Sequence, residues 1–321
     1  MSRLEVVPFS DAHLEDAAAL LSGRHRRHRE VEPLLPERFE EPAAALVEVE
    51  EAWRAGGASG AAGLRDGRLV GYLLGAPREA GLWGENTWVE LAGHASTEPE
   101  DVRDLYAAAA ARWVEEGRNR HYALVPALPE LVDPWYRVSF GQQHAHGIQA
   151  LPPEGTSPPP DWLEIRRPRL EEIDELIAID LALPAHQRRS PVFSDLAAPT
   201  EDESREEWAK TIEDEEEHVL VGYRDGRPLA AWSVVSAEVS SQHRGLGRPD
   251  NTAFLGFAST VPEARGTGIG VALTDASLEW AGGQGYASMV TDWRVTNLLA
   301  SRFWPRRGFR TSFLRLYRSI P

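Results

Sequence analysis

The segment ARGTGIG, residues 264–270, puts three glycines and one arginine within six positions. It follows the strand-like run TAFLGFAST and leads into IGVALTDASLEW, where Ile269, Leu273, Ala276 and Trp280 recur at helical spacing. The start of a helix offers four unpaired N–H groups and the positive end of the helix dipole. Glycine removes the side chains that would hold an anion away from those groups, and a guanidinium adds a planar donor fork that matches phosphate. Arg265, Gly266, Thr267, Gly268, Ile269 and Gly270 therefore read as a diphosphate cradle. A P-loop would need Gly-Lys-Ser/Thr, which is missing. In a dinucleotide fingerprint the third glycine would come one residue later, where Val271 stands, so a nicotinamide oxidoreductase is disfavoured. Taken alone, three glycines are equally compatible with a tight turn that binds nothing.

Other chemistry is sparse. The chain has no cysteine, so disulfides, thiolate metal sites and a thiol nucleophile are all excluded. GGASG at 56–60 is a loop, and no G-x-S-x-G nucleophile elbow occurs. His144 and His146 fall on one side of a strand, but no third ligand accompanies them, so no metal site is expected. The loop at 240–251 offers His243 and Asp250 as secondary polar candidates. TEDESREEWAKTIEDEEEH at 200–218 carries ten carboxylates and reads first as a solvated helix face, second as a field for a cationic amine. RHRRHRE at 24–30 reads as an exposed helix end.

The elements that position the cradle follow from composition and repeat. The 321 residues suit two domains, and 42% hydrophobic residues suffice for two cores. A formal charge of −16 argues against a nucleic-acid partner. No apolar run approaches a membrane span and the first residues lack a signal-peptide core, so a cytoplasmic location is expected. LPPEGTSPPPD at 151–161, with five prolines, reads as an extended linker between domains 1–150 and 162–321.

The two sides repeat one plan. Each opens with a short strand and an amphipathic helix, then a hairpin turning at Arg-Asp-Gly (65–67 and 224–226). HASTEPE at 94–100 answers FASTVPE at 257–263. A helix, a strand and a Trp-x-x-x-small-Phe pattern follow, Trp135 to Phe140 and Trp304 to Phe309. The expected order in each half is β-α-β-β-β-α-β-α-β, a tandem α/β (α+β) fold. Only the second half carries the glycine loop. The first has Asp101 and Asp104 where cation and glycine would stand, so it should bind no diphosphate.

Arg265-x-x-Gly268-x-Gly270, then Asn297, then an aromatic-x-x-x-Gly-Phe at 304–309, resembles the GCN5-related N-acetyltransferase (GNAT) family. The resemblance covers most of 162–321 and reaches 1–150 through the internal repeat. It implies tandem GNAT-like domains, the first degenerate, each a mixed, mostly antiparallel sheet flanked by helices with a splayed central strand pair. It implies acetyl-CoA as cosubstrate, its diphosphate on the amides of Arg265 to Gly270 and its pantetheine arm between strands 252–260 and 287–293. Thr260 and Val261 would then contact the cosubstrate through backbone, and Asn297 would hydrogen-bond the arm or simply cap its helix.

On this resemblance the expected reaction is acetyl transfer to a small-molecule or peptide amine. A base must take the amine proton. Asp292, five residues before Asn297, is the candidate, because one branch of the family has a catalytic glutamate at that spacing; pairing with Arg294 is the competing role. The N–H of Val261 is the expected oxyanion donor. The family's tyrosine acid is Trp304 here, and indole does not release its proton. Ser301, Tyr286 or Tyr317 could serve instead, the thiolate could leave unaided, or the protein could be an acyl-CoA-binding sensor or scaffold without turnover. The acceptor is not specified by any motif, and monomer and homodimer are equally compatible with the sequence.

Overall fold

The computed structural model describes residues 3–153, 155–156, 158–240 and 243–321. Glu154 and Ser157 of the linker and Ser241 and Gln242 of the polar loop lie outside the described residues. The first half runs β1 (Glu5–Pro8), α1 (Leu14–Val31), α2 (Pro42–Arg54), β2 (Ser59–Arg65), β3 (Arg68–Gly75), β4 (Asn86–Val89), β5 (His94–Ser96), α3 (Asp101–Glu115), β6 (Arg120–Pro126), α4 (Pro129–Arg137) and β7 (Gly141–Ala150). The second runs β8 (Glu164–Arg166), α5 (Ile173–Gln187), α6 (Glu201–Glu213), β9 (His218–Arg224), β10 (Arg227–Ser236), β11 (Thr252–Thr260), α7 (Ile269–Gly283), β12 (Ser288–Arg294), α8 (Leu298–Arg306) and β13 (Arg310–Ser319). Each half therefore has two helices before its hairpin; the repeat pattern gave one, and only in the second half was a further helix read, in the acidic run at 200–218.

Chain contacts define two compact units that differ from the linear halves. Unit 1 holds residues 1–146, 244–249 and 311–321, and unit 2 holds 147–243 and 250–310. Most of the last strand thus belongs to the first unit: Phe313 to Ser319 of β13 pair antiparallel with Pro126 to Arg120 of β6.

The repeat is visible in detail. Asp66 and Gly67 (φ 52° and 75°) and Asp225 and Gly226 (φ 52° and 79°) make the two hairpin turns, with both central residues at positive φ as a type I′ turn requires. Trp135 packs edge-on to Phe140 at 5.0 Å, and Trp304 to Phe309 at 5.5 Å. In each, the Phe amide bonds back to the Trp carbonyl, and the residue before the Phe, Ser139 or Gly308, has positive φ. The late tryptophans are thus matched packing residues.

In unit 1, β1, β2, β3 and β5 form a four-stranded antiparallel sheet. Phe9, Leu21, Phe39, Val49 and Tyr72 belong to the core cluster formed with α1 and α2. The basic run at 24–30 is the C-terminal end of α1 but only partly exposed: Arg26, Arg27 and Glu30 are exposed, whereas Arg24, His25 and His28 are buried. Arg24 donates to the carbonyls of Leu91 and His94, and His25 bonds the Pro36 carbonyl at 2.8 Å. Desolvation lowers the imidazoles: His25 to about 4 and His28 to about 3.

In unit 2, β8, β9, β10 and β11 pair antiparallel in sequence order and β12 joins β11 in parallel. The acidic run begins as α6, capped by the Thr200 side chain and Glu203. Its glutamates are largely exposed, while Trp208 and Ser204 are buried, so this segment is mostly a solvated face.

Candidate functional site

The site begins with a bulge. Along the β10–β11 ladder, Ser233 lies opposite Phe257 and Val234 opposite Leu255, leaving Gly256 without a partner. A bulge bends its strand and sharpens the local twist. A Cβ at Gly256 would stand 3.0 Å from the Phe254 ring, which makes glycine the undemanding residue there. Before the bulge β11 pairs with β12, Thr252 to Phe254 against Ser288 to Val290. Beyond it the ladder ends and the strands part.

A cavity of about 750 Å³ lies at this parting. Leu255, Gly256 and Ala258 to Thr260 line it from β11, and Thr291 to Arg294 from β12. Arg265, Gly266, Gly268, Ile269 and Gly270 line it from the glycine turn, and Asn297 from the start of α8. The fold thus brings together Thr260, Arg265, Gly266, Gly268, Ile269, Gly270, Asp292 and Asn297, residues far apart in sequence. Thr267 is not on the cavity wall; its hydroxyl donates to the Ala264 carbonyl at 2.7 Å and ties the turn.

The glycine turn is built for bare amides. Gly266 and Gly268 have φ of 77° and 93°, and Gly268 is the N-cap of α7. Among the described residues, no backbone acceptor meets the amides of Gly266 to Val271. A Cβ at Gly266 would meet nothing, and one at Gly268 only Pro160 at 3.9 Å, so both positions open to free space. Gly270 is helical, and its Cβ would rest at 3.5–3.6 Å from Trp232 and Phe303, so backbone geometry does not demand glycine there.

The corresponding helix of unit 1 is closed. The amides of Asp101, Val102 and Arg103 bond to the carbonyls of Glu98, Pro99 and Glu100. The carboxylate of Asp101 occupies the first turn and is held by Arg65 through two bonds of 2.7 and 2.5 Å. The strand pair is also changed. Where unit 2 has the single β11, unit 1 has two pieces in different sheets, β4 beside β6 and β5 beside β3. The His94 ring reaches the Leu124 carbonyl of β6 at 2.9 Å, and Arg24 bonds the His94 carbonyl, so side chains fill the space between these strands. Burial beside Arg24 lowers His94 to about 3.

One expected role is corrected. The N–H of Val261 donates to the Leu229 carbonyl of β10 at 2.9 Å, and Val261 is buried away from the cavity wall. It cannot serve an oxyanion while so engaged. Ladder groups alternate in direction along an antiparallel strand. Ala258 and Thr260, opposite Trp232 and Ala230, therefore direct their N–H groups to the open edge. Ser301, Tyr286 and Tyr317 do not line the cavity either.

His186, at the end of α5, is a lining residue that the sequence pattern did not single out. Asn297 caps α8, its Oδ1 accepting from the Leu299 and Ala300 amides at 3.2 and 3.3 Å. His186 Nε2 lies 3.1 Å from the same Oδ1 and so must be the donor. That leaves the Nδ1 lone pair to Arg265, whose Nη1 is 3.5 Å away. Arg265 Nε also donates to the Thr260 carbonyl at 3.3 Å. Partial burial, with Arg189 nearby, lowers the Arg265 pKa. His186 and Asp292 are the histidine and the carboxylate among the lining side chains. No spacing along the chain links His186 to the site; its contacts with Asn297 and Arg265 do.

Parted strands, a bulge and a helix start with open amides define the GNAT acyltransferase fold, complete in unit 2 and closed in unit 1. Residues 183–309 match the acetyltransferase (GNAT) family model, so the C-terminal region carries a domain of that family. A GCN5-related N-acetyltransferase from Sphaerobacter thermophilus superposes with a TM-score of 0.57 at 14% identity, over 99% of this chain and 96% of that one. A tandem GNAT protein from the clavulanic acid biosynthesis pathway gives 0.50 at 14% identity, over 99% and 98%. The whole chain thus has a tandem GNAT fold. No curated protein matches the sequence. Among the described residues no helix is long and apolar enough to cross a membrane.

Proposed function

We propose that unit 2 is an acetyl-CoA-dependent N-acetyltransferase acting on a small-molecule or peptide amine, and that unit 1 binds no CoA. The observation that carries this reading is the contrast between two equivalent helix starts: six amides without backbone acceptors among the described residues at α7, and a first turn already bonded and occupied by Asp101 at α3. An anionic handle fits the first and is excluded from the second.

In this reading acetyl-CoA supplies the acyl group and a thiolate leaving group. The amides of Gly266 to Val271 and Arg265 hold the diphosphate. The free edge of β11 and the amide of Asn297 hold the pantetheine arm. Asp292 takes the proton of the attacking amine, directly or through water. The N–H groups of Ala258 and Thr260 stabilise the oxyanion. Trp304 is 5% exposed and packs against Phe303 and Phe309, so it lends shape and no proton.

The decisive experiment pairs calorimetry of CoA binding with thiol release from acetyl-CoA across a panel of amines. Binding with turnover on one amine supports the reading, and absence of CoA binding refutes it. Because a buried indole replaces the tyrosine acid, a second reading stands beside it, a sensor or scaffold that binds acyl-CoA. Tight binding without turnover on any amine would select that one.

A further inference from the structure

Arg24 in α1 is 2% exposed, and among the described residues no carboxylate pairs with it. Its Nη1 and Nη2 donate to the carbonyls of His94 and Leu91, but its Nε is buried without an acceptor among the described residues. The neighbouring charge that acts on it is another cation, Arg27. Desolvation lowers its pKa to about 10, which leaves it charged at neutral pH. An unpaired interior charge is costly, and proteins answer it with an opposite charge. Arg118, also buried, follows that rule by pairing with Glu116.

Arg24 lines a pocket of about 10 Å³ with Ala95, Ser96, Leu131 and Trp135. The repeat gives each a counterpart. Arg24 and Leu183 are the eleventh residues of α1 and α5. Ala95 and Ser96 match Ala258 and Ser259, and Leu131 and Trp135 match Ala300 and Trp304. All five counterparts line the unit 2 cavity. The pocket is therefore what remains of that cavity in unit 1, with a cation where unit 2 has a leucine. Its volume is that of about one water-sized sphere, too little for a phosphate or a carboxylate. Val102 and Leu105 add to a mostly apolar wall, whereas a buried water typically makes about three hydrogen bonds. Ser96 and Leu131 are half-buried, so the rim of the pocket reaches solvent. We infer that one monovalent inorganic anion of halide size, chloride, occupies this pocket as the counterion of Arg24 and stabilises unit 1. The site is built from unit 1 residues alone and does not depend on the CoA reading.

The test compares thermal midpoints of the natural protein in sodium chloride, sodium bromide and sodium gluconate at equal ionic strength. Gluconate is too large for the pocket and serves as the reference. Both halides should raise the midpoint over gluconate, by roughly 3–6 °C for each tenfold rise above the dissociation constant. Bromide soaked into crystals of the protein should give an anomalous scattering peak beside Arg24 Nε. In Arg24→Met, which keeps the length of the side chain and removes its charge, the midpoint should no longer differ between halide and gluconate. Equal midpoints of the natural protein in the three salts would overturn the site, as would a pocket that holds only water in the bromide-soaked crystal. A halide effect that persists in Arg24→Met would also overturn it. The measurements on the natural protein decide even where the variant fails to fold.

Discussion

Replacing the cradle glycines one at a time separates backbone strain from ligand exclusion. Gly268 has φ of 93°, where an L side chain costs about 1–2 kcal/mol. Gly268→Ala also restricts the unfolded chain, which returns about 0.4–1 kcal/mol. The net loss should be about 1 kcal/mol, or roughly 2–4 °C in midpoint for a unit of this size. Gly270 is helical with room for a Cβ at 3.5 Å from Trp232, so Gly270→Ala should be neutral or stabilise by about 0.5–1 kcal/mol. Gly268→Glu adds a carboxylate where the diphosphate would lie. At about 4 Å and an effective dielectric near 20, the repulsion is about 4 kcal/mol, on the order of a thousandfold in affinity. Thermal unfolding and CoA calorimetry on the three variants check these values. Gly268→Glu binding CoA as tightly as the natural protein would refute the cradle, and a destabilised Gly270→Ala would refute the geometry of the turn.

Asp292→Asn should lower turnover at least a hundredfold with little change in CoA affinity, since it removes a base and no cradle group; full activity would remove Asp292 from the mechanism. Asp101→Ala should cost about 2–3 kcal/mol in urea unfolding, because Arg65 is left largely buried beside a first turn with no carboxylate; an unchanged midpoint would contradict the closed helix start. Unit 1 should also weaken in acid. Burial lowers His28 and His94 to about 3 and His25 and His121 to about 4, while unfolded histidine titrates near ~6.5. The unfolded chain then binds more protons below that pH, so stability falls as pH drops from about 6.5 toward 4, by about 2 kcal/mol per histidine at pH 5. Urea midpoints by tryptophan fluorescence at pH 7 and 5 measure this, and equal midpoints would refute it.

The duplication, the Asp-Gly hairpins and the glycine turn were legible in the sequence, because each rests on local chemistry: positive φ at a turn, a helix start without side chains, a repeated word. The same locality made Asn297 recognisable as a helix cap. Tertiary structure decided the rest. Whether the basic run on α1 faced solvent depended on what packed over it, and the carbonyls of Leu91, His94 and Pro36 proved to be there. Whether Val261 could donate to a ligand depended on the β10–β11 register, since a shift of one residue reverses which amides face the open edge. The bulge at Gly256, the pairing of β13 with β6, and His186 set between Arg265 and Asn297 are all long-range choices. Spacing along a chain reports which groups can share a face; only packing reports which partner reaches them first.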